Sequence, residues 1–132
     1  MTRKAQFMAA IRVLVVDDNS VVRDALVHII QRSRGLELVG EAADGMEAVA
    51  KASALAPDVI VMDVNMPRLD GLGATRQIAE QGLPSHVLML TMYPEMAKAA
   101  REAGASATIL KDCSAAELID AIRELGKSKS TV

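Results

Sequence analysis

The sequence predicts a doubly wound α/β domain built on one five-stranded parallel sheet. Three observations carry that expectation. Five short apolar runs alternate with longer stretches of helical periodicity, most of the runs are continuously apolar, and four of the five close on a polar residue. A chain of 132 residues has room for one domain that buries roughly two-thirds of its unfolded surface without disulfides.

The first run is Val13, Leu14, Val15 and Val16. It has no polar alternation, as a strand covered on both faces requires. Val22, Leu26, Ile29 and Ile30 follow at i, i+4, i+7 and i+8, one face of a helix. The second run, residues 36–39, alternates Glu37 with Leu36 and Leu38 and therefore reads as an edge strand. Met46, Val49 and Ala50 keep helical spacing. The third run is Val59, Ile60, Val61 and Met62, and Leu72, Thr75, Ile78 and Ala79 form the next helical face, with Gly82 at its C-terminal cap. The fourth run is Val87, Leu88, Met89 and Leu90. Pro94 then suits a first helical turn, and Gly104 suits the stop after Ala103. The fifth run is Ala107, Thr108, Ile109 and Leu110. Ser114 with Glu117 makes a capping-box pattern ahead of Leu118, Ile122 and Leu125. Residues 1–10 read as an N-terminal extension, 11–126 as the domain, and 127–132 as a polar tail or the start of a linker.

Composition removes several functions. Aromatic residues make up 2% of the chain, Trp is absent, and Phe7 and Tyr93 are the only rings. Single-strand nucleic-acid binding depends on stacking platforms that this chain lacks. Fifteen Lys and Arg against 17 Asp and Glu leave a net charge of −2, a poor basis for electrostatic attachment to DNA or an anionic membrane. The single Cys113 excludes a disulfide scaffold and a thiolate zinc cage. No apolar run approaches the ~18–20 residues of a membrane span, and Arg12 interrupts the one N-terminal stretch resembling a signal peptide. A soluble, cytoplasmic protein is expected.

The polar strand ends locate the chemistry. The first strand ends in Asp17 and Asp18, the third in Asp63, the fourth in Thr91 and the fifth in Lys111. Open α/β sheets bind ligands beyond the carboxyl ends of their strands, where the strand order reverses. If the order is 2-1-3-4-5, taken by analogy with other doubly wound sheets, the reversal lies between strands one and three, and Asp17, Asp18 and Asp63 would then meet there. Three gathered carboxylates repel unless their pKa values rise or a cation joins them. An all-oxygen site suits Mg²⁺ and not zinc or copper. A carboxylate among a divalent ion, a lysine and a hydroxyl is a constellation for phosphoryl transfer, and the carboxylate can itself be the nucleophile. No Walker-type glycine loop is present.

These residues resemble a known family. Val15-Val16-Asp17-Asp18, Asp44-Gly45, Pro57-Asp58 through Met62-Asp63, Met66-Pro67, Asp70-Gly71, Thr91 and Lys111 follow, in order and spacing, the receiver domain of two-component response regulators, over roughly residues 11–126. The resemblance implies a flavodoxin-like (βα)5 fold and a phosphoacceptor signalling domain rather than an enzyme. Asp63 would take a phosphoryl group from a histidine kinase or a phosphotransfer protein. Asp17, Asp18 and Asp63 would hold Mg²⁺ with the backbone carbonyl of Asn65, and Lys111 would pair with a phosphoryl oxygen. Thr91 would be the switch hydroxyl, with Asn65 and Tyr93 tuning dephosphorylation. The wording around Leu90-Thr91-Met92-Tyr93 and Lys111-Asp112 is similar to receivers that precede a LuxR-type helix-turn-helix output domain, which implies transcriptional regulation, with DNA reached only through a separate domain. A homodimer is left open. The family usually places an aromatic residue three positions before the lysine; here Thr108 stands there, so Tyr93 or Met92 takes over part of the relay, or the relay is weak.

Each of these residues also has a simpler reading. Asp17 and Asp18 alone suit a turn, Lys111 alone a surface lysine, Thr91 alone a β-branched strand residue, and Asp58 a solvated strand start. Asp70 is a better helix cap than Asp63. His28 reads as a partly exposed helix residue and His86 as a strand start. Cys113 reads as structural, although a helix N-terminus can lower a thiol pKa. Met62, Met66, Met89 and Met92 read as core or loop packing. The alanines around Ala97 to Ala105 suit close packing and a shallow partner face equally. Two rival functions are a receiver-like binding module that is never phosphorylated and an aspartate-nucleophile phosphatase. The latter needs a second acid two residues after the first, where Asn65 stands.

Overall fold

The computed structural model describes residues 9–66 and 68–127. Residues 1–8 of the expected extension, Pro67 and residues 128–132 of the expected tail lie outside the described residues. Strand and helix alternate as β1 (Ile11–Val16), α1 (Ser20–Gln31), β2 (Leu36–Ala42), α2 (Gly45–Leu55), β3 (Val59–Asp63), α3 (Gly71–Glu80), β4 (His86–Thr91), α4 (Met96–Ala103), β5 (Ala107–Leu110) and α5 (Ala115–Gly126). The sheet has the order β2-β1-β3-β4-β5, and all four strand pairings are parallel.

Alternation along the strands divides the core into two layers. Leu14, Val16, Ile60, Met62, Val87 and Met89 face one way and pack with Ala48 and Ala52 of α2, Ala74 and Ile78 of α3 and Ala100 of α4. Val13, Val15, Val59, Val61, Leu88 and Leu90 face the other way and pack with Leu26 and Ile30 of α1 and Leu118, Ile119 and Ile122 of α5. Both faces of the three central strands are therefore covered, which is why those runs carry no polar alternation.

Several local expectations need correction. β2 continues past residue 39 to Ala42, because a bulge at the Val13/Leu14 step lets Leu14 pair with Gly40 and carries the ladder onward. α2 buries Gly45, Ala48 and Ala52 and leaves Met46 half-exposed and Ala50 exposed; Gly45 lies against the Leu69 backbone, and Ala48 and Ala52 pack into the core. Ala79 is likewise exposed, with Ala74 in the core instead. Pro94 sits in a turn before α4, where the Met96 and Ala97 N–H groups donate to the Tyr93 and Pro94 carbonyls. Asp58 is no solvated strand start, since its carboxylate accepts the Arg12 backbone N–H at 2.8 Å.

The caps follow the sequence closely. The Asp44 and Asp70 carboxylates accept from the N–H groups of Glu47 and Gly73, and Ser114 and Glu117 form the full capping box. Gly82 and Gly104 have φ of 69° and 114° after α3 and α4, left-handed values that glycine adopts without strain. Ala100, Ala103 and Ala105 are buried, so close packing accounts for those alanines. No helix among the described residues is long and apolar enough to cross a membrane.

Candidate functional site

Parallel register brings the polar strand ends to one edge. Val16 pairs with Met62, Asp63 with Leu90, and Thr91 with Leu110, so the residues just beyond these pairs meet at the carboxyl end of the sheet. The Lys111 N–H donates to the Thr91 carbonyl at 2.8 Å, and the Asp17 N–H to the Ala42 carbonyl at 3.1 Å. The site is thus bolted to the sheet by the same ladders that build it.

Asp17, Asp18 and Asp63 place carboxylate oxygens within 4.8 Å of one another. Asp17 is fully buried, Asp63 is buried at 5% exposure, and Asp18 is exposed. Lys111 Nζ lies 3.3 Å from Asp17 Oδ2 and 3.2 Å from Asp63 Oδ1. Asp17 Oδ1 accepts the Asn19 N–H at 2.9 Å, while Oδ2 makes no hydrogen bond beyond the ion-pair approach of Lys111. A buried carboxylate oxygen without a hydrogen bond, in a cluster with two further carboxylates, is the donor set of a hard cation. The residues present therefore fit Mg²⁺.

Electrostatics follow the geometry. Burial pushes the Asp63 carboxyl above its ordinary pKa; the Asp17 charge adds to this, Lys111 opposes it, and Asp18 adds further. Burial works against the Lys111 ammonium, but the Asp63 and Asp17 charges outweigh it, so its pKa rises above the ordinary value. Cys113 is also pushed up, by burial and then by Glu117 and Asp112, against a lowering backbone hydrogen bond.

The remaining expected residues lie around this centre. Thr91 is buried at 2% exposure, and its Oγ1 accepts the Tyr93 N–H at 3.1 Å. Tyr93 and Met92 are exposed in the loop after β4. Asn65 is exposed in the loop after β3. Thr108 is half-buried on β5, paired with Met89 one step below Asp63 in the sheet. Of the four methionines near the site, Met62 and Met89 are in the core, Met66 is half-buried and Met92 is exposed.

Sequence reasoning missed three features of the surroundings. Asn19 caps α1 by accepting the Val21 and Val22 N–H groups. Arg23 Nη1 donates to the Asp17 carbonyl at 2.7 Å while its Nε meets Glu41 at 3.3 Å. Arg68, at a left-handed φ of 69°, reaches Asp44 at 3.5 Å and ties the loop after β3 to the start of α2. Only Asn19, directly before the helical pattern, had a local signal.

A (βα)5 sheet whose carboxyl edge gathers three aspartates, a lysine and a buried threonine defines a receiver of the phosphorelay type. The chain belongs to that family: the family model of the response regulator receiver domain matches residues 13–123. Curated relatives include the transcriptional regulatory protein LiaR of Bacillus subtilis, 40% identical over 121 residues, which span 90% of this chain and 57% of LiaR. The response regulator protein VraR of Staphylococcus aureus is 41% identical over 122 residues, 91% of this chain and 58% of VraR. The chain thus spans a little over half the length of these relatives. Among solved structures, the signal receiver domain of NarL from Mycobacterium tuberculosis superposes with a TM-score of 0.87 at 31% identity, covering 90% of this chain and 98% of that one. A LuxR-family response regulator from Aurantimonas sp. SI85-9A1 gives 0.85 at 35% identity, covering 91% and 87%.

Proposed function

We propose that this receiver accepts a phosphoryl group on Asp63 and thereby changes its affinity for an output domain or partner protein, in the service of transcriptional regulation. The single observation that carries the reading is the pairing of one lysine with two carboxylates, Asp17 and Asp63, at the switch point of the sheet. Lys111 holds a fixed positive charge where phosphoryl oxygens would sit beside Asp63. A carboxylate oxygen of Asp63 attacks the phosphorus of a phosphohistidine on the donor kinase or phosphotransfer protein. The new O–P bond forms as the P–N bond breaks, and the imidazole leaves with its electron pair and takes a proton. Asp17, Asp18 and Asp63, with the carbonyl of Asn65, would hold Mg²⁺. When bound, that ion supplies neutralising charge for carboxylates and phosphoryl oxygens alike. Asp17 has one carboxylate oxygen on the Asn19 N–H and the other beside Lys111, fixed contacts that suit a ligand rather than a nucleophile.

Residues 11–126 constitute the receiver in this reading, 127–132 are a polar tail or the start of a linker, and the output it serves is of the LuxR type. The LuxR-type assignment draws on the likeness to the LuxR-family response regulator from Aurantimonas sp. SI85-9A1, and transcriptional regulation on the likeness to LiaR, of which this chain covers 57%. Both the cytoplasmic setting and the kinase partner follow from the same reading.

The test is incubation with Mg²⁺ and a small phosphodonor, followed by intact-mass analysis. One phosphoryl group is expected on the wild-type chain, none with EDTA, and none on Asp63→Asn. No addition to the wild-type chain would favour a receiver-like module that is never phosphorylated. Addition that persists in Asp63→Asn would move the acceptor elsewhere. Catalytic turnover of phosphate esters would favour the phosphatase reading, against which Asn65 stands in place of the required acid.

A further inference from the structure

We infer that Arg23 is a positioning residue for the acidic site, fixing the Asp17–Asp18 peptide so that both carboxylates present to a cation. The inference rests on the reading of Asp17, Asp18 and Asp63 as a cation site. Arg23 lies in the first turn of α1, and its side chain is mostly buried, at 20% exposure. One nitrogen, Nη1, donates to the Asp17 carbonyl at 2.7 Å, and another, Nε, bonds Glu41 at the end of β2. Glu41 is itself held, since its carbonyl accepts from Lys51 of α2. The result is a chain of contacts from α2 through the edge strand to α1, ending on one carbonyl oxygen.

That oxygen belongs to the peptide that joins Asp17 to Asp18. A peptide is planar, so fixing its carbonyl direction fixes the direction in which the chain departs toward the Asp18 Cα. On the Asp17 side, the N–H donates to the Ala42 carbonyl and Oδ1 takes the Asn19 N–H. Asp18 is exposed, and the Arg23 contact restrains the very peptide that carries it. Without a cation the three carboxylates repel one another, and an untethered Asp18 would swing toward solvent. Groups that orient ligands without touching the metal commonly matter to affinity by about tenfold or more.

Charge and positioning predict opposite signs. Arg23 is a cation beside a cation site, so removing its charge, if charge were its whole contribution, would strengthen Mg²⁺ binding. Positioning predicts weaker binding. Mg²⁺ alone, titrated into the chain by calorimetry, separates the two. The expected order of affinity is wild type, then Arg23→Lys, then Arg23→Gln, with Arg23→Gln weaker by roughly tenfold. Arg23→Lys keeps the charge and one donor but loses the fork that spans Asp17 and Glu41. It also supplies the measurement should Arg23→Gln fail to fold. Unfolding midpoints in EDTA accompany each titration, so loss of affinity in a folded variant is read as such. Asp18→Asn serves as the reference for the site. Affinity in Arg23→Gln equal to or tighter than wild type, with Asp18→Asn impaired, would overturn the role of Arg23 alone. Unimpaired binding by Asp18→Asn would bring down the cation-site reading and this inference with it.

Discussion

Asp63 carries a charge in a place that disfavours it. Burial and the neighbouring Asp17 hold its carboxyl above the ordinary value of 3.8, despite Lys111. In the unfolded chain the same group releases its proton earlier. Between the ordinary value and the raised one, the folded state therefore binds more protons, and stability falls as pH rises through that window. An aspartate stabilised by a partner shows the reverse slope. Urea midpoints measured in EDTA, upward from pH ~4, are expected to decline more steeply for the wild type than for Asp63→Asn. At neutral pH without metal, Asp63→Asn should be the more stable protein, by on the order of 1 kcal/mol. Added Mg²⁺ should narrow that gap by stabilising the wild type. Equal midpoints for both proteins at every pH would show that the carboxylate cluster stores no repulsion. Much of this site was legible in the sequence, because packing alone seldom puts a charge at the end of a buried apolar run. Asp17, Asp18, Asp63 and Lys111 stand out that way. Arg23 does not, since an arginine on an amphipathic helix looks like any solvated side chain until the fold places it under the Asp17 carbonyl.

At the scale of elements, the site depends on how closely α3 approaches the end of β3, and α2 the loop between β3 and α3. A Cβ on Gly71 would fall inside 3.0 Å of the Asp63 carbonyl oxygen, and one on Gly45 inside 3.0 Å of the Leu69 carbonyl oxygen. The Gly71 N–H donates to the Val64 carbonyl at 2.7 Å, so α3 starts pressed against the strand that carries Asp63. These contacts are with backbone and cannot be relieved by rotating a side chain. Gly71→Ala is expected to cost about 1–3 kcal/mol through overpacking, read as a lower urea midpoint, and to slow phosphoryl uptake because the Asp63 backbone must shift. Ser114→Ala, which removes a cap bonded to Glu117 and leaves the Asp63 backbone in place, should cost ~1 kcal/mol with unchanged uptake. A Gly71→Ala protein with wild-type stability would contradict the close approach. Helix caps and the strand–helix alternation were legible because each rests on local chemistry or on a strict period, whereas the strand order, set by non-local pairing, came only by analogy with other doubly wound sheets. The extension of β2 to Ala42 was not, because it depends on a bulge set by pairing with β1. The buried face of α2 was hidden for a related reason. Hydrophobicity points to Met46, whereas the helix turns Gly45, which lies against the Leu69 backbone, and the core alanines Ala48 and Ala52 inward.

If Asp63 takes a phosphoryl group as proposed, the whole molecule must carry that change to a surface, and the path available here is short. Thr91 ends β4 beside Asp63, and its buried hydroxyl accepts the Tyr93 N–H. If Oγ1 turns to donate to a phosphoryl oxygen, that acceptor is lost to Tyr93, and the loop ahead of α4 must find another arrangement. The half-buried Thr108 offers no ring to move in concert, so the exposed Met92 and Tyr93 are the groups on hand to report the switch. A phosphoryl group shifts the equilibrium only by binding the two loop arrangements unequally, and one hydroxyl contact supplies a modest difference. Tyr93 is the only tyrosine and Trp is absent, so intrinsic tyrosine emission reads this loop alone. Its intensity is expected to change when Mg²⁺ and a phosphodonor are added to the wild type. Thr91→Ala should still acquire the phosphoryl mass while its emission stays constant, because the hydroxyl that couples the site to the loop is gone. Thr108→Tyr would introduce a second emitter, so Thr108→Phe is the better gain-of-relay variant, expected to enlarge the Tyr93 response if a ring can follow Thr91 inward. Constant emission in phosphorylated wild type would place the output path elsewhere. The nearest alternative is then the α1 side of the acidic site, where Arg23 and Glu41 join three elements.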